Sequence, residues 1–141
     1  MALEQLAPLF DVPGVRFLAL QPGARAGDLG RLTNFAAGSD LSGELVDFAE
    51  TAAVVANLDL VIAVDTAIVH LTGALARPVW TLLPHVPDWR WMLERADSPW
   101  YPTMRLFRQE RAGDWAGVVA RVAGELAVAA AGDRSRLMPR S

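Results

Sequence analysis

Asp65, Thr66 and His70 are the grouping in this 141-residue chain whose types and spacing suit ligand chemistry. They fall within LDLVIAVDTAIVHLTGALARPVWTLLP, residues 58–84. A helix that begins after Asp65 presents unpaired backbone N–H groups and the positive end of its dipole, and phosphate is the usual guest of such an end. Thr66 adds a hydroxyl donor, and His70, four residues on, lies one turn along the same face. The plainer alternative is that Asp65 and Thr66 only cap the helix while His70 is an ordinary surface or satisfied histidine. Spacing alone leaves both open.

The elements around the three residues place them. Leu60 to Val64 is an unbroken apolar run with three β-branched residues, which suits a parallel strand buried on both faces. After Asp65-Thr66 the period changes: Ile68, Leu71 and Leu75 recur at helical spacing, with Ala67 and Ala74 between them. Asp65 is suited to cap that helix, and Arg77-Pro78 stops it, because a residue before proline is pushed out of the α region. Val79 to Leu83 then reads as a second buried strand. A β–α–β unit of this kind is right-handed in about 98% of cases and puts its ligand corner at the carboxyl ends of the strands.

Elsewhere the signals are shorter. Ala2 to Phe10 reads as a short helix broken by Pro13-Gly14, and Val15 to Leu20 as a first strand. Residues 21–43 hold six Gly or Pro and read mostly as loop, with a short strand near Leu32–Phe35. Asp47 and Glu50 fit a capping box for a helix running to about Asn57, with Phe48, Ala52 and Val55 on its buried face. Met104 to Phe107 suits a short final strand. Asp114 caps a last helix with the stripe Trp115, Val118, Val119, Val122 and Leu126. The expected division is one domain over residues 1–131 and a disordered tail over 132–141.

Composition narrows the class. A length of 141 residues with 52% hydrophobic content fits one α/β domain with a real core. The net charge of −3 gives no support for nucleic-acid binding, and all 13 Lys-or-Arg positions are Arg. There is no Cys, so disulfides and thiolate metal sites are excluded. His70 and His85 are the only histidines and fit no metal-ligand spacing. No dinucleotide fingerprint, P-loop or G-x-S-x-G elbow occurs. No apolar stretch is long enough for a membrane span, and no secretory signal opens the chain, so a cytoplasmic protein is expected.

Residues 84–114 combine Pro84, Pro87, Pro99 and Pro102 with Trp89, Trp91 and Trp100. Trp89 to Glu94 suits a helical turn or two. Asp88, Glu94 and Asp97 either line a cleft or are solvated loop charges. The tryptophans either cover a core edge, meet another domain or stack on a sugar.

At the level of whole segments, VDTAIVHLTGALARPVWTLLP resembles the DTxxxHLxxALxxPVW stretch of the heptosyltransferase-like glycosyltransferases, and in particular those bacterial proteins that join such a domain to tetratricopeptide repeats. A more distant likeness is to O-linked N-acetylglucosamine transferases. GVRFLALQ, DFAETAAVVANLDLVIAVDT, PDWRWMLERADSPWYP, MRLFRQ and GDWAGVV resemble the same group in the same order, so the likeness covers roughly residues 3–128.

The resemblance implies a Rossmann-like parallel sheet with helices on both faces, as the C-terminal, donor-binding half of a GT-B fold truncated at its N-terminus. It implies contacts to a nucleotide-sugar diphosphate from Asp65, Thr66, the backbone N–H of Ala67 and His70, with Gln21 as a weaker candidate at the end of the first strand. The donor would be a substrate; no cofactor, metal or catalytic residue is carried over. The acceptor-binding lobe that supplies the family's catalytic base has no counterpart in the sequence, so activity alone is not expected. Alternatives are a non-catalytic interaction module, pairing with a lobe or with itself through Trp89–Trp100, and an inactive fragment.

Overall fold

The computed structural model describes residues 1–20, 39–41 and 43–139. Its helices are α1 (Ala7–Phe10), α2 (Phe48–Ala56), α3 (Ala67–Ala74) and α4 (Trp115–Ala130), and its strands are β1 (Val61–Val64), β2 (Val79–Leu83) and β3 (Met104–Arg108). Short 3-10 turns occupy Leu3–Leu6, Trp89–Trp91 and Arg134–Leu137. The strands form one parallel sheet in the order β1-β2-β3, with Val61 opposite Val79 and Val79 opposite Met104. The α/β expectation therefore holds, and the Met104–Phe107 run is indeed a strand.

Alternation along the strands divides the core in two. Trp80, Leu82 and Phe107 pack with Val118, Val119, Val122 and Leu126 of α4 and with Leu9 of α1. On the opposite face Val61, Val79, Leu83, Met104 and Leu106 meet Val55 of α2, Val69 of α3 and Trp91. A parallel sheet covered on both faces buries consecutive positions, and β2 is buried throughout, with Val79, Trp80, Leu82 and Leu83 apolar and Thr81 the one polar residue. Each such side chain contributes about 1.5–3 kcal/mol by leaving water. β1 departs from expectation: only Val61 is fully buried, because β1 is the outer strand of the sheet among the described residues.

Three further expectations are corrected. The strand expected over residues 15–20 shrinks to one parallel bridge between Ala19 and Asp40, since residues 39–41 are the only described segment that pairs with it. Asp47 caps α2 by accepting the Glu50 N–H at 2.8 Å, but Phe48 is 67% exposed, because α2 meets the described chain chiefly through α3 and neither core cluster reaches its first turn. In α3 the buried positions are Val69, Thr72 and Gly73, while Leu75 is exposed. A hydrophobic stripe misses Thr72, whose hydroxyl donates to the Ile68 carbonyl, and Gly73, whose lack of a side chain admits the Tyr101 ring. Within the segment expected as a tail, Arg134–Leu137 forms a short 3-10 turn: Leu137 is buried, its carbonyl accepts the Trp80 indole N–H at 3.0 Å, and Arg136 pairs with Asp133 and Glu125.

The last helix follows its sequence closely. Asp114 accepts the Gly117 N–H at 2.9 Å, and Val118, Val119, Val122 and Leu126 are buried. Among the described residues no helix is long and apolar enough to cross a membrane.

Candidate functional site

Asp65 is the first residue beyond β1, at the carboxyl edge of the sheet. The chain turns there, so that Thr66 takes the extended N-cap conformation (φ −146°, ψ 170°) and α3 begins at Ala67. Thr66, not Asp65, is thus the capping position, and it makes no side-chain cap bond; its hydroxyl donates back to the Val64 carbonyl at 3.2 Å. Thr66 and Ala67 are both exposed.

The Asp65 carboxylate points elsewhere. Its Oδ2 accepts the Trp91 indole N–H at 2.8 Å, and its Oδ1 lies 3.6 Å from His70 Nε2, beyond hydrogen-bond reach but close enough for charge to act. The His70 ring stacks on Trp91, with centroids 5.3 Å apart and planes 26° apart. Its Nδ1 lies 3.2 Å from the Tyr101 hydroxyl, and the Tyr101 ring meets it edge-on. The structure therefore brings Asp65 and His70 together, and completes the cluster with two aromatic residues from the segment between β2 and β3.

Local chemistry places those aromatics. Asp88 caps the Trp89–Trp91 turn by accepting the Arg90 N–H at 3.1 Å, and Met92, with φ 51°, ends it. Trp91 is thereby turned inward and is 1% exposed, while Trp89 and Trp100 stand 75% and 55% exposed. Arg108, at the end of β3, donates from Nη2 to the Trp91 carbonyl at 3.1 Å. Burial lowers the pKa of the Arg108 guanidinium from its ordinary value, and its Nη1 is buried without a partner among the described residues. Tyr101 sits against Gly73, where a Cβ would stand 2.5 Å from its Cγ.

Among the described residues, His85 and Asp97 are placed apart from this cluster. Gln21 lies outside the described residues. His85 is bound to Gln109, whose Oε1 accepts both the His85 and Gly113 N–H groups at 3.1 Å. Asp97 forms a bidentate pair with Arg95 at 2.8 and 2.9 Å, which lowers the Asp97 pKa from the usual carboxylate value. A hollow between β3 and α4 is lined by Arg105, Arg121 and Glu125 among others, and its arginines are already paired, Arg105 with Glu125 and Arg121 with Glu110. Sequence reasoning missed Trp91 and Tyr101 as members of the site. The available signal was position: a segment leaving the carboxyl end of β2 runs past the neighbouring strand end, and Trp and Tyr combine an apolar body with a polar handle.

Comparison with known proteins identifies the family. The family model of glycosyltransferase family 9 (heptosyltransferase) matches residues 17–110, which include the whole Asp65–Tyr101 cluster. Protein FlbA of Caulobacter vibrioides is 34% identical over 126 residues, covering 84% of this chain and 20% of FlbA, so the chain spans about a fifth of that relative's length. No solved structure matches. With two thirds of its length matched by that model, the chain belongs to glycosyltransferase family 9, the heptosyltransferase family.

Proposed function

We propose that this chain is the donor-binding part of a glycosyltransferase and that it holds the diphosphate of a nucleotide sugar at the amino end of α3. The observation that carries the reading is the coincidence of an uncapped helix start, at the carboxyl edge of a parallel sheet, with the family-matched segment. In this reading the backbone N–H of Ala67 and the Thr66 hydroxyl contact phosphate, His70 approaches from the next turn, and Asp65 faces the sugar hydroxyls. Gln21 belongs to the same proposal as a contact from the edge of the cleft. The chemistry is stabilisation of the negative charge that develops on the departing diphosphate. A second lobe supplies the acceptor site and the base, as in the GT-B arrangement of which this chain would be the C-terminal half. Association with tetratricopeptide repeats and a cytoplasmic location belong to the same proposal.

Calorimetric titration with uridine and adenosine diphosphate tests it. Wild-type binding should weaken by about 0.5–1.5 kcal/mol in Thr66→Ala, the worth of one hydrogen bond, and should weaken also in His70→Ala. Wild-type binding that neither change affects would move the site elsewhere.

A second reading is favoured by one observation: Val86, Trp89, Leu93 and Trp100 are all more than half exposed and close in sequence. Such a patch suits a partner surface, which is either the second lobe or, in a non-catalytic protein, another chain.

A further inference from the structure

We propose that Trp91 is a positioning residue that turns the Asp65 carboxylate away from the amino end of α3 and so keeps that end open to an anion. The inference rests on the diphosphate reading above. Asp is among the best acceptors for first-turn N–H groups, and Asp65 stands two residues before Ala67 and three before Ile68, within reach of local side-chain-to-backbone bonding. Left free, its carboxylate would settle on those N–H groups, satisfy them and repel phosphate. It does not do so here: α3 has no side-chain cap bond, Oδ2 is taken by the Trp91 indole at 2.8 Å, and Oδ1 faces His70.

The indole is itself held in place. Trp91 is 1% exposed, His70 stacks on its face, and Arg108 grips its backbone carbonyl. Its N–H thus stands at a fixed point, and a hydrogen bond to a carboxylate is about twice as strong as one between neutral groups. The segment after β2 and the end of β3 together set the state of the corner after β1.

The test uses Trp91→Phe, which keeps an aromatic ring in the core and removes the N–H. Uridine and adenosine diphosphate are titrated into wild type, Trp91→Phe, Asp65→Ala and the double variant, and amide hydrogen exchange at Ala67 and Ile68 is followed in the ligand-free proteins. The expected result is five- to tenfold weaker binding in Trp91→Phe and less than a twofold effect of the same change in the Asp65→Ala background, because the harm passes through the carboxylate. Amide exchange at Ala67 or Ile68 should slow at least tenfold in Trp91→Phe. An equal loss in both backgrounds, as a purely packing role gives, overturns the proposal, as does unaltered amide exchange. Strong protection of the Ala67 amide in the wild-type protein, a measurement that needs no variant to fold, also overturns it. Slowed exchange in Trp91→Phe without nucleotide binding by wild type would sustain the positioning and overturn the diphosphate reading.

Discussion

The indole N–H of Trp91 reaches the Oδ2 of Asp65 at 2.8 Å, across 26 residues of sequence. The bond makes the corner after β1 depend on a turn that follows β2. The carboxylate is thereby engaged to one side, and the start of α3 carries no side-chain cap bond.

Gly73 sets a second relationship in the same cluster. A Cβ there would lie 2.5 Å from Tyr101 Cγ and 2.9 Å from its Cβ, so the ring must shift if the glycine is replaced. Gly73→Ala should lower stability by about 1–3 kcal/mol in urea denaturation, the usual cost of overpacking. The double variant with Tyr101→Ala should lose less than the sum of the two single changes, since the clash is then gone. Strict additivity would contradict this contact.

The start of α4 rests on Asp114, whose carboxylate accepts the Gly117 N–H at 2.9 Å. Asp114→Ala should cost about 1 kcal/mol and Asp114→Asn much less, because both Asp and Asn cap well. Thermal denaturation of the pair against wild type checks this; equal losses would show that charge, not capping, is what the residue supplies.

The contacts of the Arg134–Leu137 turn should respond to acid. Hydrogen bonds from Ser135 at 2.5 Å and Arg136 at 3.0 Å lower the Asp133 pKa from the usual carboxylate value. A carboxylate depressed in the folded state contributes stability above its unfolded value, about 3.9, and loses that contribution as pH falls through the lower folded value. The pair is exposed, so the effect is small and local. The Trp80 indole N–H resonance, whose acceptor is the Leu137 carbonyl, should therefore change below about pH 4 in wild type, and Asp133→Asn should be insensitive over that range. Identical acid profiles would contradict the role of Asp133.

What could be read in the sequence, and what could not, follows from the range of each interaction. β1, β2, α2 and α4 are announced by local patterns: buried apolar runs, Asp47 and Asp114 at caps, a valine stripe. The Asp65-Thr66 corner follows from the change of period between β1 and α3. The inward rotation of Trp91 is set by the capped Trp89–Trp91 turn together with an acceptor 26 residues away, and no window of sequence contains both. The seating of Leu137 is of the same kind, since its carbonyl accepts from Trp80, 57 residues earlier. The buried face of α3 is only partly legible: Val69 and Ile68 meet the core, but Thr72 and Gly73, which are also buried, carry no hydrophobic signal.

The central claim is that a nucleoside diphosphate binds at the amino end of α3. Amide and indole chemical-shift mapping during titration with uridine or adenosine diphosphate tests it most directly. The account predicts saturable shifts concentrated at Thr66, Ala67, Ile68 and His70 and at the Trp91 indole N–H. Saturable shifts confined to the hollow around Arg105, Arg121 and Glu125, with the α3 start unmoved, would contradict it.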